Sequence, residues 1–330
     1  MRKLLALMKD KLSAGEDLVL VTVVAADGAT PRGAGARMLI SKDGRIYGTI
    51  GGGAVEYRSQ QIAEKILVEK VSREQDFSLT KNDVQNLGMI CGGGVHVYFH
   101  YLPAGNQNAL QVAEAAEEGF LKGKDLWLIT DIADGGLLSL AGKEDPAYEG
   151  HLTRHPHRIR ENGKDLYIEQ IVSSGKVYIF GCGHVAQELE PVLSHVGFRC
   201  VCMDDRPEWA RKEFFPTAEE VKLIDFHKIQ DFITITNQDY VCVMTRGHAF
   251  DTVIQAQVLP CHPAYCGVIG SRHKAAGVRK ALHEEYGISD EDLDQVITPI
   301  GLDIAAETPA EIAISIAGEM IKIRADLERA

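Results

Sequence analysis

One stretch of the chain, residues 176–205, constrains the fold more than any other. It begins with an apolar, β-rich run at Val177–Phe180, which is typical of a strand buried on both faces. The run leads directly into Gly181-Cys182-Gly183-His184-Val185-Ala186, a G-x-G-x-x-A pattern, and then into apolar residues at helical spacing. A second strand follows and ends at Asp204 and Asp205. Strand, glycine turn, helix, strand and acid in this order predict a βαβ unit of the dinucleotide-binding type.

The parts of this unit have a common ligand-binding explanation. The glycines let the chain turn sharply and let a pyrophosphate approach the backbone, while the helix start offers free N–H groups to that phosphate. Asp204 lies 23 residues after Gly181, where an acid hydrogen-bonds a ribose hydroxyl. The predicted cofactor-binding residues of the unit are Gly181, Gly183, His184, Ala186, Asp204 and Asp205. A Rossmann unit that holds another ligand, or none, fits the same pattern, so the fold is predicted more firmly than the ligand.

The N-terminal third contains three glycine-rich loops, at residues 27–37, 51–53 and 88–94. Backbone N–H groups left bare at such loops form nests for anions, and arginine binds phosphate through two parallel N–H bonds. A tight turn is the ordinary explanation for any one glycine loop. Three together predict one pocket walled by backbone amides. Its predicted cofactor-binding residues are Arg32, Arg37, Gly51, Gly52, Gly53, Gly92 and Gly93.

Only one of the seven cysteines lies inside such a loop. Backbone amides can lower the pKa of a thiol, so Cys91 is predicted to be a functional thiol, with a buried, inert thiol as the alternative. Cys200, Cys202 and Cys242 are predicted to pack within strands. An odd number of cysteines without a C-x-x-C pair gives neither a disulfide framework nor a zinc signature. This usage is typical of a reduced, cytoplasmic protein.

Beyond Asp205, strands and helices continue to alternate, which predicts a doubly wound parallel sheet. The carboxyl ends of parallel strands lie on one edge of the sheet, and ligands bind there. Polar residues that follow the predicted strands complete the candidate site: Arg246, His248, Ser271 and Arg272. We expect an α/β protein with an N-terminal α+β domain over residues 1–172, including a connector over about 103–172, and a Rossmann-type domain over 173–330.

The net charge and the hydropathy of the chain limit the classes of partner that it can bind. The formal net charge of −12 argues against nucleic acid, and no apolar run reaches the roughly 20 residues that span a bilayer. We therefore predict neither a nucleic-acid nor a membrane partner. The final helix carries apolar residues on more than one face, which favours a homodimer. They are Ile312, Ile314, Ile316, Met320 and Ile321.

Several ordered segments resemble the XdhC/CoxI family, the accessory factors of xanthine dehydrogenase and related molybdenum hydroxylases. In the first half they are GATPRGAGARML, GTIGGGAVE and GMICGGGVHVYF. In the second half they are IFGCGHVAQEL, CMDDRPEWA, VMTRGHAFD, YCGVIGSRHK and PIGLDIAAETPAEIAISIAGEM. Residues 103–172 carry little of the resemblance. Family members often have a cysteine where this chain has Ala54, whereas Cys91 matches the family's other familiar cysteine.

The resemblance implies a protein that binds the molybdenum cofactor (molybdopterin), supports its sulfuration and delivers it to a hydroxylase. A cysteine desulfurase is the second implied partner, and Cys91 becomes the candidate molybdenum ligand because a thiolate suits a soft metal. The family has no established turnover, so a cofactor-binding chaperone is implied more than an enzyme. Two alternatives remain: an NAD(P)-dependent oxidoreductase with His248 as acid or base, and a regulatory nucleotide sensor. In both, NAD(P) or another nucleotide occupies the Rossmann turn.

Overall fold

The computed structural model describes residues 1–28, 30, 32–78, 93–161, 163–246 and 250–329. The chain separates into two compact units, Met1–Ser173 and Ser174–Ala330. Within the described ranges, every helix is too short or too polar to traverse a lipid bilayer.

A five-stranded antiparallel sheet forms the centre of the N-terminal unit, in the order β3-β2-β1-β5-β4. Its strands are β1 (Leu18–Asp27), β2 (Arg37–Ser41), β3 (Gly44–Thr49), β4 (Arg73–Ser78) and β5 (Gly94–Leu102). The middle strand, β1, is rich in valine and leucine, and its first seven residues are buried. Such a run fits a strand that is covered on both faces.

Helices cover both faces of this sheet. Helix α2 (Gly53–Glu69) packs on one face, against a cluster of valine, isoleucine and phenylalanine side chains. Helices α1 (Arg2–Ser13) and α3 (Gln107–Lys122) contribute leucines and alanines to the cluster on the other face. The Asn106 side chain caps α3 by accepting from the Ala109 amide at 2.9 Å, and α3 ends at Gly123 in the left-handed region.

The predicted connector is more regular than the sequence indicated. It contains a four-stranded antiparallel sheet in the order β7-β6-β9-β8, and it belongs to the N-terminal unit. The strands are β6 (Leu126–Asp131), β7 (Leu137–Gly142), β8 (His157–Glu161) and β9 (Lys164–Val172). Strands β7 and β8 were not expected, because turns surround them and β8 (HRIRE) is mostly polar. Its Arg158 donates to Asp165 of β9 at 2.5 and 2.6 Å. This cross-strand pair stabilises β8, a strand that the hydrophobic pattern of the sequence does not predict.

The C-terminal unit contains a six-stranded parallel sheet in the order β12-β11-β10-β13-β14-β15. Its strands are β10 (Val177–Phe180), β11 (Cys200–Asp204), β12 (Glu220–Leu223), β13 (Tyr240–Val243), β14 (Tyr265–Val268) and β15 (Val296–Ile297). The order reverses between β10 and β13, which is where open α/β sheets bind ligands. The predicted Rossmann-type parallel sheet, with an N-terminal α+β region, is confirmed.

Helices lie on both sides of the parallel sheet, as in a doubly wound fold. Helices α4 (His184–His195) and α8 (Pro309–Arg329) contribute to the hydrophobic cluster on one face. Helices α5 (Asp251–Val258), α6 (Arg272–Tyr286) and α7 (Asp290–Asp294) contribute to the cluster on the opposite face. Helix α8 begins with a reciprocal cap: the Glu311 amide donates to the Thr308 hydroxyl, and the Glu311 carboxylate accepts from the Thr308 amide.

Candidate functional site

The two glycines of the G-x-G turn have different structural roles. Gly181 has φ +103°, and a Cβ there would lie 2.4 Å from the carbonyl oxygen of Met244, so the turn itself requires glycine. Gly183 has φ −71°, which any residue adopts, and no described heavy atom lies within 4 Å of an added Cβ. The second glycine therefore keeps open the space beside the backbone where a phosphate approaches.

Helix α4 starts directly at this turn, with Gly183 as its N-cap and no side-chain cap among the described residues. Its first N–H groups are thus available to an anion. His184 is exposed, and its ring lies edge-to-face on Trp209 with the centroids 5.5 Å apart. Ala186 is buried in the core, which explains the small residue at the third position of the pattern.

The acid predicted to bind a ribose has partners within the protein. Asp204 is fully buried, and its carboxylate accepts from the Cys182 amide at 2.8 Å. It also accepts from the amide, Nε and Nη2 of Arg206 at 2.8–3.1 Å. Burial alone would raise the pKa of Asp204, but Arg206 and the Cys182 amide outweigh burial and hold the pKa below its ordinary value. Asp204 thus ties the glycine turn to the end of β11.

The neighbouring residues are more accessible. The Asp205 side chain is about one-third exposed, and burial together with the adjacent Asp204 raises its pKa. The Arg206 guanidinium lies over the Trp209 ring at 5.2 Å, a cation–π geometry. Sequence reasoning did not select Trp209, although it follows the acids at the end of β11. That position at a ligand-binding sheet edge was the available signal.

The remaining predicted residues of this edge are only partly described. Arg246 is exposed just after β13, and Ser271 is the exposed N-cap of α6. Arg272 begins α6, although its side chain is not described. His248 lies outside the described residues, as do Cys91 and Gly92 of the N-terminal unit.

Strand register brings the described strand ends that flank the three N-terminal glycine loops to the same end of the five-stranded sheet. Asp27 of β1 pairs with Gly94 of β5, so the first and third loops extend from neighbouring strands. Arg37 of β2 pairs with Thr49 of β3, which places the second loop at that end too. Arg32 is exposed within the first loop.

The nest at Gly51-Gly52-Gly53 contains a carboxylate of the protein itself. Glu56, in the first turn of α2, accepts from the amides of Ile50 and Gly52 at 3.2 Å each, from the Thr49 hydroxyl and from Arg45. Burial would raise its pKa, but these hydrogen bonds and the Arg45 charge outweigh burial and lower it. Glu56 thus engages one of the three glycine amides, that of Gly52, while the Gly51 amide donates to the Thr49 hydroxyl at 3.2 Å, and the cofactor-binding role of these glycines stays a prediction.

Arg37 also has a structural partner. It is buried, and it donates to Glu169 of β9 at 2.5 Å and to the Thr22 hydroxyl at 3.2 Å. Burial would lower the pKa of Arg37, and the Glu169 carboxylate outweighs burial and raises it. Arg37 therefore forms a buried ion pair between β2 and β9, and its role in cofactor binding stays a prediction.

The cysteines outside the third loop are poor candidates for a reactive thiol. Burial raises the pKa of each described thiol. Those that lie in the core are Cys182, Cys200, Cys202, Cys242 and Cys266. Cys261 is only partly buried, and its thiol contacts the Gln257 carbonyl at 3.5 Å. Among the residues with described positions, no three acids, histidines or cysteines form a group that could hold a metal.

The two turn glycines give a matched pair of substitutions. We expect Gly181→Ala to lower the free energy of unfolding by at least about 1–2 kcal/mol, because φ is positive and the new Cβ collides with a carbonyl. Gly183→Ala should leave that free energy within about 1 kcal/mol of wild type. Urea unfolding of both variants checks this, and equal destabilisation would contradict the assigned roles.

The buried Glu56 carboxylate predicts an acid-dependent loss of stability. Because its folded pKa is lowered, its stabilisation is present above the unfolded value of about 4.3 and is lost as pH falls through the folded pKa. The difference in free energy of unfolding between wild type and Glu56→Gln should therefore be largest near neutral pH and shrink below about pH 4. Exposed Glu64 of the same helix gives the control, Glu64→Gln. A pH-independent Glu56→Gln difference would refute the prediction.

Comparison with known proteins finds relatives over the whole chain. Residues 12–78 match the model described as the XdhC and CoxI family, and residues 177–320 match the XdhC Rossmann domain. A protein named as a probable subunit of xanthine dehydrogenase, from Bacillus subtilis (strain 168), is 24% identical over 97% of this chain and 96% of its own length. The molybdenum cofactor insertion chaperone PaoD of Escherichia coli (strain K12) is 23% identical over 98% of this chain and 88% of its own length.

A solved structure shares the fold. The crystal structure described as a xanthine dehydrogenase from Bacillus halodurans superposes with a TM-score of 0.74, at 24% identity, over 98% of this chain and 96% of that one. The two family models match in order, one in each compact unit. The chain therefore belongs to the XdhC and CoxI family.

Proposed function

We propose that this protein is an accessory factor that binds the molybdenum cofactor and matures a molybdenum hydroxylase of the xanthine dehydrogenase type. The observation that carries the proposal is similarity over 97–98% of the chain to proteins named for xanthine dehydrogenase and for molybdenum cofactor insertion. A shared single domain would support only a shared fold, whereas here both units are matched.

The described residues fit a phosphorylated cofactor at the C-terminal unit. The uncapped start of α4 offers N–H groups, and the space beside Gly183 is open. Asp205, Arg206 and exposed Arg246 lie at the carboxyl ends of β11 and β13, near the point where strand order reverses. We assign phosphate binding to this edge in preference to the Gly51–Gly53 nest, where Glu56 already accepts from the Ile50 and Gly52 amides.

Cys91 is the proposed thiol for the metal. The cofactor supplies a soft molybdenum centre, which favours a thiolate ligand. Each described thiol has a pKa raised by burial, which stabilises the protonated, poorly ligating form. The seventh cysteine, Cys91, lies in the third glycine-rich stretch of the sequence, three residues before Gly94, where β5 begins.

Sulfuration and delivery are the finer steps of the proposal. Supporting the exchange of an oxo ligand for sulfur requires a sulfur donor, for which a cysteine desulfurase is the proposed cytoplasmic partner. Binding and orienting the cofactor, and excluding water from it, are the tasks of this chain. We propose no reaction turned over by the protein itself.

We also propose a homodimer. Helix α8 leaves Ile314 and Ile321 exposed on the same face, seven residues apart. Such a face is stabilised when a second copy covers it. Sedimentation at micromolar concentration should give the dimer mass, and a clean monomer would contradict it.

An NAD(P)-binding oxidoreductase or nucleotide sensor is the second candidate. The open Gly183 turn favours it, whereas the engagement of both Asp204 oxygens by Cys182 and Arg206 weighs against the usual ribose contact. An oxidoreductase would require no hydroxylase for its activity. Maturation dependence therefore separates the two candidates.

The proposed thiol predicts a specific loss of function. In cells that lack the native protein, Cys91→Ala should reduce hydroxylase activity to the level without any accessory factor, because the metal loses its ligand. Cys261→Ala is the matched control, since Cys261 is the one described cysteine that is not fully buried, and this variant should support full activity. Circular dichroism should show both variants folded. Full maturation by Cys91→Ala would make that thiol dispensable.

A further inference from the structure

A cavity of about 160 Å³ lies in the C-terminal unit between β14 and helices α5 and α6. It adjoins Gly270, directly after the carboxyl end of β14, so it opens from the edge where parallel sheets bind ligands. Most of its wall is aliphatic. The wall residues are Val268, Ile269, Val278, Leu282, Leu293 and Val296.

Two almost fully buried polar side chains, both from α5, also line this cavity. Asp251 is 1% exposed and Gln255 is 3% exposed. The Gln255 side-chain amide has two N–H donors and one carbonyl acceptor. One of the N–H groups donates to the Asp251 carbonyl at 2.9 Å. At the rim, α6 contributes exposed Lys274.

The cavity is one side chain away from the glycine turn. The Cα of Thr245 lies 3.0 Å from where a Cβ of Gly181 would be. The Thr245 hydroxyl donates to Asp251 Oδ1 at 2.5 Å, and Asp251 lines the cavity. In sheet order, the turn belongs to β10 and the cavity to β14, with only β13 between them.

These features select a class of occupant. An aliphatic chain would leave the second N–H and the carbonyl of the Gln255 side chain without a partner, and a sugar would leave the aliphatic walls against polar atoms. A flat nitrogen heterocycle satisfies both, because its faces are apolar and its edge donates and accepts hydrogen bonds. A volume of this size receives at least one aromatic ring, since a comparable engineered cavity of about 150 Å³ binds benzene.

We propose that this cavity receives the fused-ring nitrogen heterocycle of a phosphorylated ligand whose phosphate lies at the Gly181–Ala186 turn. The inference rests on the proposed function, since it assigns the ring of the proposed cofactor to particular residues. Gln255 is the residue that recognises the ring edge. Lys274 neutralises an anionic group at the rim.

The test is a titration of the full chain with neopterin monophosphate, followed by the fluorescence of the pterin, and with AMP, followed by equilibrium dialysis. Ala275→Phe places an aromatic side chain in the cavity, and Ala281→Phe is the matched control on the same helix, away from the lining. We expect Ala275→Phe to weaken binding about tenfold or more and Ala281→Phe to leave the dissociation constant within about twofold. Gln255→Leu, which keeps the volume, should weaken binding about fivefold or more and covers the case in which Ala275→Phe is unstable.

The two probes separate the possible sources of the ring. Preferential binding of neopterin monophosphate supports a pterin, and preferential binding of AMP with the same sensitivity to Ala275→Phe supports a purine nucleotide in the same cavity. Equal binding by the Ala275→Phe and Ala281→Phe variants, or no binding of either probe, overturns the assignment. If the protein matures the hydroxylase but binds neither probe, the cavity assignment is wrong and the proposed function is retained. If it binds a probe but does not mature the hydroxylase, the proposed function is wrong and the cavity assignment is retained.

Discussion

The C-terminal site depends on the hydrogen bond from the Cys182 amide to the buried carboxylate of Asp204. This bond fixes the middle of the G-x-G turn against the neighbouring strand, while the missing side chain at Gly181 lets the turn approach Met244 and Thr245. Arg206 compensates the buried charge, so the carboxylate remains ionised without a ligand. The first N–H groups of α4 are thereby held in place before a phosphate arrives, which reduces the ordering cost of binding.

Similar glycine patterns have opposite roles in the two units. Before α2 the amides of Ile50 and Gly52 donate to an internal acid, Glu56, and this contact stabilises the start of the helix. At Gly183 the helix has no capping side chain among the described residues, and no described heavy atom outside the adjoining residues lies within 4 Å of an added Cβ. A glycine cluster before a helix is therefore not sufficient to predict an anion-binding site. The second condition is that no acid lies three or four residues into the helix. The sequence shows this directly, because α2 has Glu56 where α4 has Gln187 at the equivalent position.

The βαβ unit could be predicted from sequence because every signal in it is local: the strand, the turn, the helical period and the acid follow one another. The roles of Asp204 and Arg37 could not, because each depends on a partner that local periodicity does not identify. Arg37 pairs with Glu169, 132 residues away, and that residue lies in a segment interpreted as a connector. The ion pair with Glu169 engages the Arg37 guanidinium, which sequence reasoning assigned to a ligand. The cavity beneath α6 was likewise invisible, since it arises from helix α5, strand β14 and helix α6 together.

A net charge of −12 is compatible with a phosphorylated ligand because the acids near the proposed site are compensated individually. Asp204 is paired with Arg206, so it does not present an isolated negative charge to the edge. Exposed Arg246 and Lys274 add positive charge along the same side of the sheet. Surface acids farther away than about 10 Å are screened at ordinary salt concentrations. The affinity for a phosphate is then set by the nearby backbone amides and cationic side chains. The negatively charged surface repels larger polyanions such as nucleic acids.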